Sequence, residues 1–205
     1  MIRIMFRVAA VVMGLLCAPA HASSEAADRD WSAFQAIQME RPDIDMDADP
    51  EGFAQWMNTR NARLRAAGLA FYTAHPGDPR RWDAVLILFS HLGYVPPEHA
   101  SAEQRKEADE LEEMRLALEA SKDATPGQRE QAAAESVRRA LMAAYSPEFQ
   151  EMALLQSRID ALAVRFPDGD SAGHLQGMYL EQLRQRDPAA ATTLLPRLLE
   201  STNAS

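Results

Sequence analysis

The sequence predicts an all-α protein with about seven or eight helices arranged as antiparallel hairpins. Two observations carry that expectation. Apolar residues recur at intervals of three and four along most of the chain, and no stretch alternates with period two. Acceptor–proline pairs punctuate the stripes: Asp49-Pro50, Asp78-Pro79, Thr125-Pro126, Ser146-Pro147 and Asp187-Pro188. The acceptor side chain caps free N–H groups at a helix start. Proline at the first helical position has its φ already set and has no hydrogen bond to lose.

The elements follow in chain order. Residues 1–22 read as a cleaved signal peptide. Arg3 and Arg7 supply the basic start, Val8 to Ala18 the apolar run, and Ala20-His21-Ala22 the small-x-small cleavage site before Ser23. The run is shorter than the roughly 20 residues a membrane span requires, so no span is expected once it is removed. The expected localisation is periplasmic or secreted. Residues 23–49 form a first helix, with Trp31, Phe34 and Ile37 as its stripe, and then an acidic linker.

Residues 50–205 form the helical-hairpin domain. Phe53, Trp56, Met57, Leu64 and Phe71 mark a long helix ending near His75-Pro76. Trp82, Val85, Leu86, Phe89 and Leu92 mark the next, stopped at Gly93. Leu111, Met114 and Leu118 form a thin stripe within Ser101 to Asp123, where 12 of 23 residues are charged. So narrow a stripe predicts a mostly solvated helix. Val137, Leu141 and Ala144 follow, then Phe149, Met152, Leu155, Ile159 and Leu162, closed by Pro167. Leu175, Met178, Tyr179 and Leu183 mark the seventh helix, and Leu194, Leu195, Leu198 and Leu199 the last. Ser101 with Gln104, and Thr125 with Gln128, have capping-box spacing.

Composition excludes several classes of function. Cys17 is the sole cysteine and leaves with the signal peptide, so the mature chain has no thiolate nucleophile, disulfide or C-x-x-C centre. Net charge is −9, and −11 without the leader's two arginines. Such a chain is repelled by phosphate backbones, so no nucleic-acid partner is expected. The run Asp43, Asp45, Asp47, Asp49 imitates a calcium loop but has Ala48 or Pro50 where the loop needs glycine, and Ala54 or Trp56 where it needs glutamate. The histidines form neither H-E-x-x-H nor Glu-x-x-His, and there is no G-x-S-x-G. No metal, cofactor or catalytic residue is therefore assigned, and no enzyme is expected.

Phe71-Tyr72-x-x-His75-Pro76-x-Asp78-Pro79 resembles a tetratricopeptide-type helical pair, and so does the run from Leu155 through Phe166-Pro167-Asp168 to Asp187-Pro188-Ala189. The second run, continued through Leu194-Leu195-Pro196-Arg197-Leu198-Leu199, is similar to the N-terminal helical extension of exported bacterial thioredoxin-like disulfide oxidoreductases. In that family a thioredoxin domain with C-x-x-C follows. No cysteine follows Cys17 here, so no redox role carries over. The resemblance implies a free-standing helical module, accessory to a thioredoxin-like domain; the helical hairpins, the export signal and the lack of catalytic constellations make it an exported, non-enzymatic module expected to hold a protein or peptide partner. The alternative is the front part of such an oxidoreductase, with its catalytic domain beyond residue 205. Candidate partner-binding residues are Trp56, Phe71 and Trp82 among the aromatics and Glu110 and Glu113 on the acidic helix. Oligomeric state is not legible.

Overall fold

The computed structural model describes residues 20–91, 100–144 and 152–194, with side chains from residue 25. Residues 1–19 of the expected leader lie outside the described residues, as do Leu92, Gly93, Ser146-Pro147, Phe149 and residues 195–199 of the last stripe. The all-α expectation holds. The chain forms α1 (Ala20–Gln38), α2 (Pro50–Ala74), α3 (Arg80–His91), α4 (Ala102–Ala120), α5 (Pro126–Ala143), α6 (Met152–Arg165) and α7 (Ser171–Arg186). An eighth helix, α8, is described over 188–194. No strand occurs among the described residues.

The helix starts use the side chains that the sequence offers. Asp49 accepts from the Gly52 amide at 2.9 Å. Ser101 and Thr125 both close full capping boxes, with Gln104 and Gln128 reaching back to their amides at 2.9 Å. Asp187 accepts from the Ala190 amide, also at 2.9 Å. Asp78 accepts from the Arg80 amide two residues on, and the Arg81 and Trp82 amides donate to the Asp78 and Pro79 carbonyls as α3 opens. Asp170 makes no side-chain cap for α7. Glu130 of α5 does so from a distance, accepting from the Ser171 amide at 2.9 Å. Gly169 makes room for that carboxylate, since a Cβ there would stand 2.2 Å from Glu130 Cδ.

Helix ends are closed differently. No residue takes a positive φ among the described residues, so none of these helices ends in the left-handed glycine turn that commonly closes one. Arginines close three of the ends instead. Arg60 donates to the carbonyls of Ile37 (3.2 Å) and Gln38 at the end of α1. Arg129 donates to Ser121 and Ala124 after α4, at 3.1 and 2.8 Å. Arg186 donates to Ala144 after α5. A cation there also meets the negative end of the helix dipole.

Packing is serial. Each helix from α1 to α7 lies against its neighbour in sequence, and α3, α5 and α7 also pack on one another in turn. α2, α4 and α6 stand further apart and meet through long side chains: Arg65 of α2 with Glu107 and Glu110 of α4, and Arg165 of α6 with Glu119 of α4. One layer is thus closed, and the other opens in a crevice between α2 and α4.

The core has two parts that meet at α5. The first gathers Phe34, Leu64, Phe71, Trp82, Val85, Leu88, Phe89, Leu111 and Leu118. α3 sits at its centre and buries Trp82, Ala84, Val85, Leu86, Leu88 and Phe89. Gly68 allows α2 to approach α3 closely, because a Cβ there would lie 2.9 Å from a methyl of Leu88. The second part gathers Val137, Leu141, Leu155, Ile159, Leu162, Leu175, Tyr179 and Leu183. Ala132 of α5 faces the first part, while Ala133 and Ala134 face the second.

Candidate functional site

The crevice between α2 and α4 has a volume of about 450 Å³. Leu69, Tyr72 and Thr73 form one wall, and Glu110, Glu113, Met114 and Ala117 the other. These sets recur at helical spacing, so each wall is a single helix face. Tyr72 is steadied from beneath by an edge-on contact with Trp82, their ring centroids 5.8 Å apart. One end is tied by Arg65, mostly buried, which donates to Glu110 at 2.8 Å and lies 3.4 Å from Glu107. Glu110 also approaches Lys106 at 3.8 Å. Glu113 is exposed and has no ion pair among the described residues. The crevice therefore offers an apolar floor, a polarisable thioether and one uncompensated carboxylate on its rim.

Of the five candidate contact residues, Glu110 and Glu113 are brought together here. Phe71 and Trp82 are buried, at 1% and 3% exposure, and have no surface for a partner to touch. Phe71 packs between Trp31 (5.2 Å) and His75 (4.9 Å). Trp56 is half-buried near the start of α2, stacked near Phe53 and under Arg60. It lies roughly 20 Å along the helix from the crevice, at 1.5 Å per residue. Aromatic size drew these residues into one set, but helical phase separates them. Tyr72, Met114 and Arg65 complete the crevice. Their pairing across helices has no counterpart in local spacing.

The helix α4 is less solvated than its composition suggests. Arg115 is 5% exposed. It donates to Glu112 at 2.6 and 2.8 Å, to Glu119, and to the Ala132 carbonyl at 3.2 Å. The Arg115 guanidinium holds the Glu112 carboxyl below its ordinary range. The charges of α4 bind it to α2, α5 and α6 as well as to water.

A second cleft of about 350 Å³ lies among Gln38, Asp83, Leu86, Ile87, Ser90, His91 and Gln131. Burial, and then the Arg60 charge, lowers the His91 pKa. His91 faces Gln38 at 3.4 Å, whereas Asp83 accepts from Gln128 at 2.6 Å. The two titratable groups are thus engaged with separate amides and form no acid–base pair. No group of three or more His, Cys, Asp or Glu converges on a point among the described residues. Within the acidic linker, Asp45 turns back onto the Asp47 amide, and Asp49 caps α2.

No helix among the described residues is long and apolar enough to cross a membrane. Comparison with known proteins finds no matching family model, curated protein or solved structure.

Proposed function

We propose that this chain is an exported, non-enzymatic helical module that holds a segment of another protein or a peptide in the α2–α4 crevice. The observation that carries this reading is the crevice's composition. Leu69, Tyr72, Met114 and Ala117 make an apolar strip, and Glu113 stands unpaired beside it. An apolar strip between two helices accepts an amphipathic segment through anchors at helical spacing. Methionine adapts to anchors of varied shape. The rim carboxylate favours a partner with lysine or arginine next to its apolar residues. Serial packing of hairpins, with α3, α5 and α7 forming a closed layer, is in keeping with a tetratricopeptide-like arrangement.

Peptide display against the protein tests this reading. The expected outcome is enrichment of peptides that carry apolar residues three and four positions apart with a neighbouring basic residue. Their binding should be lost in Ala117→Trp, which fills the crevice at an exposed position. Enriched peptides that bind Ala117→Trp as well as they bind the parent would sink the proposal. Export is tested separately: the N terminus of the protein recovered outside the cytosol should be Ser23.

A further inference from the structure

The cleft among α1, α3 and α5 is polar, and its two ends differ in charge. Asp83, Leu86, Ile87 and Ser90 follow one another at spacings of three and four, so one face of α3 forms its floor. Gln38 of α1, Gln131 of α5 and His91 complete the lining. Asp83 and Ser90 stand about 10 Å apart along the helix axis, at 1.5 Å per residue.

Asp83 is half-buried and has no ion pair among the described residues. Its Oδ1 accepts from the Gln128 side chain at 2.6 Å. An amide brings a dipole but no charge, and a carboxylate has lone pairs for several more donors. The other end of the cleft has the opposite character. Arg60, 6% exposed, donates to the Ile37 and Gln38 carbonyls and to Asn61, and has no ion pair among the described residues. Burial first, and the Arg60 charge second, lower the His91 pKa, so its ring is neutral at pH 7. A neutral imidazole keeps one donor and one acceptor, and the Gln38 side chain facing it offers both kinds. The cleft therefore has a carboxylate without a counter-charge at one end, and uncharged hydrogen-bonding groups beside a guanidinium at the other.

We propose that this cleft binds a small primary amine, whose ammonium group pairs with Asp83 and whose polar far end is held by Gln38 and His91. A compact ammonium with three donors suits a half-buried carboxylate that already accepts one hydrogen bond. The net charge of −9 raises the concentration of small cations around the chain. Arg60 beside Gln38 favours a neutral or anionic far end, as in a short peptide, over a second ammonium. The site is independent of the α2–α4 crevice.

The test is titration of the full chain with glycylglycine in one arm and 1,4-diaminobutane in the other, at fixed pH and ionic strength. The imidazole C–H resonances of the histidines are followed. Saturable movement of His91 is expected, with exposed His174 of α7 unmoved. Saturation by glycylglycine alone assigns a peptide-type ligand, and saturation by the diamine a polyamine-type one. N-acetylglycine, which has no ammonium, should leave His91 in place. D83N keeps an acceptor for Gln128 and should weaken binding about tenfold, as loss of a charge-assisted hydrogen bond requires. S90W, at an exposed position, should fill the cleft and abolish binding; dichroism melts matching the parent's check that both variants fold. Shifts that never saturate, shifts that His174 shares, N-acetylglycine binding as tightly as glycylglycine, or unchanged affinity in D83N would each overturn the proposal.

Discussion

The part of the core built by α1 to α4 closes around rings, whereas the part built by α5 to α7 closes around branched aliphatic chains. In the first region Phe34, Trp31, Phe71 and His75 make a chain of tilted ring contacts in that order, at 4.9 to 5.5 Å, and Tyr72 meets Trp82 edge-on. In the second, Leu155, Ile159, Leu162, Leu175 and Leu183 fill the space, and Tyr179 is the buried ring among the described residues. Rings bury more area per residue and fix the angle of their neighbours. Aliphatic chains repack more readily when volume is conserved. The difference teaches where each region is fragile. The front should fail when one large side chain is lost, and the rear when a backbone fitting is disturbed. Trp31, Trp56 and Trp82 all belong to the front, so indole fluorescence reports that region alone, while circular dichroism sees both.

The largest expected effect is in the front. Phe71→Ala removes the ring at the centre of the stack and should cost about 3–5 kcal/mol. Denaturant titration should show the fluorescence midpoint falling ahead of the dichroism midpoint. Coincident midpoints would break the comparison by showing one cooperative unit. A smaller effect is expected in the rear. Gly169→Ala drives the Glu130 carboxylate from its place and leaves the Ser171 amide without its acceptor. The net cost should be about 1–2 kcal/mol, the lost charged hydrogen bond being partly offset by a stiffer unfolded chain. Dichroism should register the loss before fluorescence does.

The last prediction concerns pH and fixes only a direction. His91 of the front has a folded pKa below the ordinary 6.5, so the unfolded chain binds its proton first. Stability from this group is present above about 6.5 and is lost as pH falls towards the folded value. Tyr179 of the rear has its pKa raised above 10.0, by burial first and by Asp160 second. The unfolded chain therefore loses that proton first, and stability falls as pH rises past 10. Mild acid should weaken the fluorescence transition, and strong alkali the dichroism transition. His91→Gln should flatten the first dependence between pH 5 and 6.5; an unchanged slope would remove His91 as its cause.

What could be read from the sequence was whatever acts over one or two turns. The stripes and the caps at Asp49, Ser101, Thr125 and Asp187 involve residues within four positions of each other, and each formed as the local rules require. Glu110 and Glu113 could be singled out because α4 is acidic. The rest depends on partners far apart in the chain. Arg65 and Glu110 are separated by 45 residues, and Arg60 and Gln38 by 22. No spacing rule announces such pairs. The burial of Arg115 was hidden for a related reason: its charge is answered partly by the Ala132 carbonyl, which every sequence contains and none displays.

The arginine closures of α1 and α5 have a chemical consequence. A guanidinium does not discharge at any acidity a protein meets, so these latches hold where histidine or carboxylate fastenings would slip. Their weakness is covalent. A dicarbonyl reagent such as glyoxal caps guanidinium nitrogens, and modification of Arg60 or Arg186 would unfasten a rod from its end while leaving the oily interior untouched.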